Sequence, residues 1–158
     1  MRLIFAFVFV FNTLYSVAAD LTVSELRAMY YMALTDKGTA DKFMTIIDEA
    51  NAESKPILLC YKGMACMLKV RYSLNPYSKY TQFQKGVTLL EDAVQKDVNN
   101  AEIRFMRYCV ETNAPFFLGY NDDIESDRAF LLKSYSTIPD PDLKRKIKDY
   151  VLTGKSES

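Results

Sequence analysis

The sequence predicts an all-α protein built from antiparallel helical hairpins, and three observations carry that expectation. Proline and glycine are sparse, five of each in 158 residues, so few positions interrupt regular structure. Between them apolar residues return every three or four positions, the period of a helix with one buried face, and no segment shows convincing two-residue alternation. Helix-start signals stand where the periodic segments begin. The clearest is Thr22-Val23-Ser24-Glu25, a capping box in which the hydroxyl and the carboxylate three residues later satisfy two otherwise unpaired backbone donors.

Residues 1–19 are set apart as a signal peptide. Arg2 precedes an apolar run over 3–11, a polar stretch with Asn12 and Thr13 follows, and Ser16-Val17-Ala18-Ala19 supplies small residues at the spacing a signal peptidase reads. The apolar run is shorter than the ~20 residues that cross a bilayer. The expectation is export to the periplasm or the medium with cleavage after Ala19 and no membrane span. A single helical domain over 20–152 and a flexible tail over 153–158 with nothing to bury complete the division of the chain.

The first helix should run from the capping box to about residue 34. Gly38 is expected to break the chain, and a second helix follows from 39 or 40 to about 51, with Phe43, Ile46, Ile47 and Ala50 on one side. Pro56 suits the first turn of a third helix carried to residue 72, because its missing N–H is not needed there. Residues 73–76 make a turn. A fourth helix over 77–96 should be the most buried, through Phe83, Val87, Leu90 and Val94. A fifth runs over 100–112, a sixth over 123–134 and a seventh over 140–152.

Composition narrows the function. Twenty basic and twenty acidic residues leave no net charge to draw the chain to nucleic acid or a membrane surface. Histidine is absent, which removes Ser-His-Asp and Cys-His catalysis and the commonest zinc sites. No catalytic residue, cofactor or metal centre is expected. Cys60 and Cys66 are too far apart along a continuous helix to bridge, about 9 Å against a limit of about 7 Å. A bridge from either to Cys109 across two helices and three small buried thiols both stay open.

Ile46-Ile47-Asp48-Glu49-Ala50 and Leu89-Leu90-Glu91-Asp92-Ala93 match in character, and the same shift places Cys66 on Cys109. Two matched helical hairpins follow. The run over 86–102 resembles the second helix of a tetratricopeptide repeat and its passage into the next repeat. Gly86 matches the small residue, Leu90 the large one and Ala93 the following small one, while Asp97, Asn99, Asn100 and Ala101 fit the inter-repeat turn. Val98 stands where that family usually has proline, and Gly63 lies farther before Gly86 than the family's first-helix glycine does. The chain is also similar to small exported bacterial proteins. The resemblance implies a short TPR-like right-handed superhelix, closed at its C-terminal end by the last two helices, whose concave surface holds a protein or peptide.

Within that frame the fifth helix is the expected lining element. At 100° per residue Ala101, Phe105, Met106, Cys109 and Val110 share one arc, and Arg104, Arg107, Tyr108 and Glu111 share the other. The second arc is read either as an ordinary solvated face with Arg107 and Glu111 paired at i,i+4, or as a partner site on which Arg104, Arg107 and Tyr108 clamp a carboxylate and stack on an aromatic group. Tyr30, Tyr31, Tyr61, Tyr72, Tyr77 and Tyr80 cluster in the first half as packing or interface area. Lys144, Arg145, Lys146 and Lys148 make the seventh helix basic, which complements its dipole.

The connector Asn113-Ala114-Pro115-Phe116-Phe117-Leu118-Gly119-Tyr120-Asn121 and the acidic run after it invite a site reading. Phe116, Phe117 and Leu118 are expected to plug the end of the helical stack, with Asp122 or Asp123 capping the sixth helix. Asn121, Asp123 and Glu125 alternate as in a calcium loop. Ser126 stands where such a loop needs glycine, and Leu132 where the closing Glu belongs. Tyr120 and Asn121, between plug and cap, complete the candidate partner-binding set. The leading functional expectation is a non-catalytic interaction module. A self-assembling subunit, possible as a homo-oligomer, and a small carboxylate- or metal-dependent enzyme are the alternatives.

Overall fold

The structure, a computed structural model, describes residues 21–50 and 55–153. The signal peptide read over 1–19 lies outside them, as does the tail beyond residue 153. Among the described residues there are seven α-helices and no strand. They are α1 Val23–Ala33, α2 Lys37–Glu49, α3 Pro56–Tyr72, α4 Pro76–Lys96, α5 Ala101–Asn113, α6 Ile124–Ser134 and α7 Pro141–Ile147. No described helix is long and apolar enough to cross a membrane.

Local chemistry sets most of the ends. Thr22 and Glu25 form the expected capping box on α1, Thr22 N–H donating to Glu25 Oε2 at 2.8 Å. Asn75 and Asn100 cap α4 and α5, each side chain accepting two backbone N–H groups, and Asp140 does the same for α7. Gly38 does not break the chain. Asp36 accepts the Thr39 N–H at 2.6 Å and starts α2 one residue ahead of Gly38, which is helical. Asp123 precedes α6 without a side-chain bond to its backbone. After Ile147 the last helix widens into a π turn over Lys148–Leu152.

The tightest pairing is α3 against α4, where Gly63 and Gly86 face each other across the hairpin. A large core of α1 to α5 contains Phe43, Ile47, Tyr61, Leu68, Leu90, Ile103 and Met106. A smaller one joins Phe105 and Tyr108 of α5 to Leu131, Ile138, Leu143, Ile147 and Val151. The most buried helix is therefore α5, which sits between the two cores, with every residue from Glu102 to Tyr108 buried. Helix α4 buries Phe83, Gly86, Leu90, Ala93 and Val94, leaves Val87 half-buried and turns its other face outward. Cys60 and Cys66 are buried thiols on one continuous helix, and burial, then the charge of Glu102, pushes the Cys60 thiol well up.

Candidate functional site

Two charge networks hold the helices in place. Arg27 of α1 is 1% exposed. Its Nε and Nη2 donate to the two oxygens of Glu102 at 2.9 and 2.8 Å, its Nη2 to Asp140 at 2.9 Å and its Nη1 to Asp142 at 3.1 Å. Tyr61 Oη donates to the same Glu102. Burial works against the charge on Arg27, but the bonds from Glu102 and Asp140 outweigh it and hold the guanidinium above its ordinary range. Helices α1, α3, α5 and α7 are thus joined at one buried point.

The second network corrects the reading of α5. Arg104, Arg107, Tyr108 and Glu111 do not form a solvated face; all four are buried, because α6 covers that side. Arg107 Nε and Nη2 grip both oxygens of Asp127 at 2.8 and 2.9 Å, and its Nη1 meets Glu91 at 2.8 Å and Asp123 at 2.9 Å. Arg104 pairs with Asp127, donates to Ser126 Oγ at 3.1 Å and lies over the Phe130 ring. The carboxylate clamp expected of these arginines exists, and the carboxylates are the protein's own. Asp123 gives its side chain to Arg107 and its backbone N–H to Glu111 Oε1 at 3.2 Å.

Glu111 is the strained member. It is 3% exposed, and its Oε2 has no hydrogen-bond partner. Burial first, then the charges of Asp123 and Asp127, raise its pKa from 4.5 to about 7, against the opposing Asp123 N–H and Arg107.

The connector after α5 also differs from expectation. Leu118 packs on the large core, and Tyr120 sets its ring edge-on to Phe83 at 6.0 Å while its Oη donates to Glu91 at 2.6 Å. Phe116 and Phe117 do not plug the stack: they are 85% and 83% exposed. They sit on a 3-10 turn over Phe116–Leu118, and Gly119 closes it in the left-handed region at φ 63°. The reversal there turns Leu118 and Tyr120 inward and leaves the two phenylalanines outward. Asn121 is exposed beside them.

Phe117 forms part of the lip of a half-open groove of about 730 Å³. Its walls come from α1 through Tyr30 and Tyr31, from α3 through Met64, Met67 and Val70, and from α4 through Tyr80 and Phe83. Met106 and Val110 of α5, with Tyr150 after α7, complete them. Charged groups stand at the edges: Arg71 at the end of α3, Lys79 on the first turns of α4, and Lys146 and Asp149 near the C-terminus. Lys146 Nζ lies 3.4 Å from the centre of the Tyr31 ring. Sequence reasoning found neither this groove nor its lip, because its residues come from five separate helices and the segments that follow α5 and α7. The signal present was local: two phenylalanines between Pro115 and Gly119, where neither a helix nor a strand can bury both.

Among the described residues no three Cys, Asp or Glu side chains converge so as to hold a metal ion. The groove offers apolar area and a few charges at its edge, an arrangement suited to binding. Comparison with protein-family models, with curated proteins and with solved structures found no match.

Proposed function

We propose that the protein is an exported, non-catalytic helical interaction module whose protein or peptide partner docks on the exposed pair Phe116 and Phe117, of which Phe117 forms part of the groove lip. The near-complete exposure of these two side chains carries the reading. Covering both would contribute about 3–6 kcal/mol of apolar burial, enough to offset much of the cost of association. Tyr80, 54% exposed, borders the same groove from α4, and Asn121 supplies a polar group beside the lip. Export is supported by Arg2, the apolar run over 3–11 and the small residues before Asp20. A TPR-like right-handed stack is supported by the close approach of Gly63 and Gly86 and by Asn100, which joins Asp97 at 3.0 Å in the turn before α5.

The test compares capture by the full chain and by the double variant Phe116→Ser, Phe117→Ser from the exporting cell. A partner recovered in fixed proportion with the wild type and lost with the variant supports the reading. Equal recovery with both, or none with either, sinks it. Wild-type self-association that the double variant abolishes would replace the partner with a second copy of this chain.

A further inference from the structure

We infer that the groove is a binding site for a free long-chain fatty acid, its alkyl chain lying between α3, α4 and α5 and its carboxylate at Arg71 and Lys79. This goes beyond docking on the lip and does not depend on it.

Three observations converge. At about 730 Å³ the groove falls within the ~300–1,000 Å³ of small-molecule sites, and its interior is mainly apolar. Met64, Met67 and Met106 meet Phe83 and Val110 there. Unbranched, polarisable methionine side chains adapt to a flexible alkyl chain without demanding one shape. An extended peptide would bring a backbone donor and acceptor with each residue, and these walls offer few partners for them. An alkyl chain asks for none.

The charges then select the head group. Buried arginines elsewhere are fully committed: Arg27 to Glu102, Asp140 and Asp142, and Arg107 to Asp127, Glu91 and Asp123. Arg71 and Lys79 are exposed and have no carboxylate within ion-pair distance among the described residues. Both border the groove on either side of the turn between α3 and α4, while Lys146, the third cation at its edge, lies over the Tyr31 ring. A planar guanidinium and an ammonium bordering the same groove suit a carboxylate. Asp149, the carboxylate among the groove's lining residues, follows α7 and lies 3.8 Å from Arg145.

The test titrates the purified full chain, with no partner present, with even-numbered fatty acids from decanoate to palmitate below micelle-forming concentrations. Calorimetry reads stoichiometry and affinity. The expected result is one site whose affinity rises about tenfold for each two-carbon step until the groove is full, as burial of two methylenes requires. The alcohol of equal chain length should bind about tenfold more weakly, and Arg71→Glu with Lys79→Glu should weaken the acid but not the alcohol. Both substitutions are on exposed positions, so an unchanged unfolding midpoint checks the fold. Equal affinity for acid and alcohol, no chain-length dependence, or binding only to phospholipid vesicles would each overturn the assignment. So would displacement of the acid by an apolar peptide with no effect of the two charge reversals. Failure here leaves docking on the lip standing, since that is read through Phe116 and Phe117.

Discussion

Gly63 and Gly86 meet across the α3–α4 hairpin so closely that a methyl group on either would press on the other's backbone. A Cβ on Gly86 would lie 3.1 Å from the Gly63 carbonyl oxygen and 2.6 Å from Met67 Cε, and one on Gly63 would lie 3.0 Å from the Gly86 carbonyl oxygen. Backbone cannot yield as a methionine tip can. Gly63→Ala should therefore lose about 1 kcal/mol net, overpacking exceeding the ~1 kcal/mol that alanine gains in helix propensity. Gly63→Val should lose about 3 kcal/mol. Urea titration measures both, and a stabilised Gly63→Ala would show that the helices can separate freely.

Arg27 neutralises a buried carboxylate, Glu102, that no other base among the described residues pairs with. Arg27→Met should lose about 3–5 kcal/mol by stranding Glu102 beside Tyr61. Adding Glu102→Gln should restore part of that, with a coupling of at least about 1 kcal/mol in the double-mutant cycle. Asp140 is held below its ordinary 3.8 first by the hydrogen bond from Arg27. Its stabilising contribution is therefore present above about pH 3.8 and fades as the pH falls below it. Arg27→Met should flatten that acid limb.

Glu111 sets the opposite slope. Its folded pKa of about 7 exceeds the ordinary 4.5, so between those values the folded chain holds more proton than the unfolded one. Stability should fall as the pH rises through that window, by on the order of 2 kcal/mol. Glu111→Gln keeps an acceptor for the Asp123 N–H and should remove the slope, leaving the variant more stable than wild type at pH 8. Unfolding midpoints at pH 5 and pH 8 decide it; a wild-type protein that gains stability over this range contradicts the reading.

Phe116 and Phe117 should matter little to folding. With both more than four-fifths exposed, Phe116→Ser and Phe117→Ser should each shift stability by less than about 0.5 kcal/mol. Leu118→Ser on the same turn removes a core contact and should lose about 1–3 kcal/mol. Thermal unfolding of the three variants separates lip from anchor.

The helices themselves were legible from caps and prolines. Thr22, Pro56, Asn100 and Asp140 act on backbone within four residues, and each stands where the structure starts or flanks a helix. Gly38 misled because Asp36, two residues earlier, offers a stronger start signal than glycine offers a break. The faces of α5 were the larger miss. Helical periodicity divides apolar from charged residues, and Arg104, Arg107 and Glu111 fell on the charged side. Period alone cannot tell a charge that meets water from one that meets Asp127 on another helix.

The all-α character and most of the capped ends were determined by the sequence itself, because hydrogen bonds within a turn are local properties. Only the tertiary structure decided that α5 lies between two cores, that its arginines are consumed by Asp127, Glu91 and Asp123, and that Phe116 and Phe117 face outward, Phe117 at the edge of a groove. Burial and charge pairing depend on which distant segments arrive at a face, and residues separated by 16 to 113 positions supply those partners here. That arrangement follows from packing the whole chain.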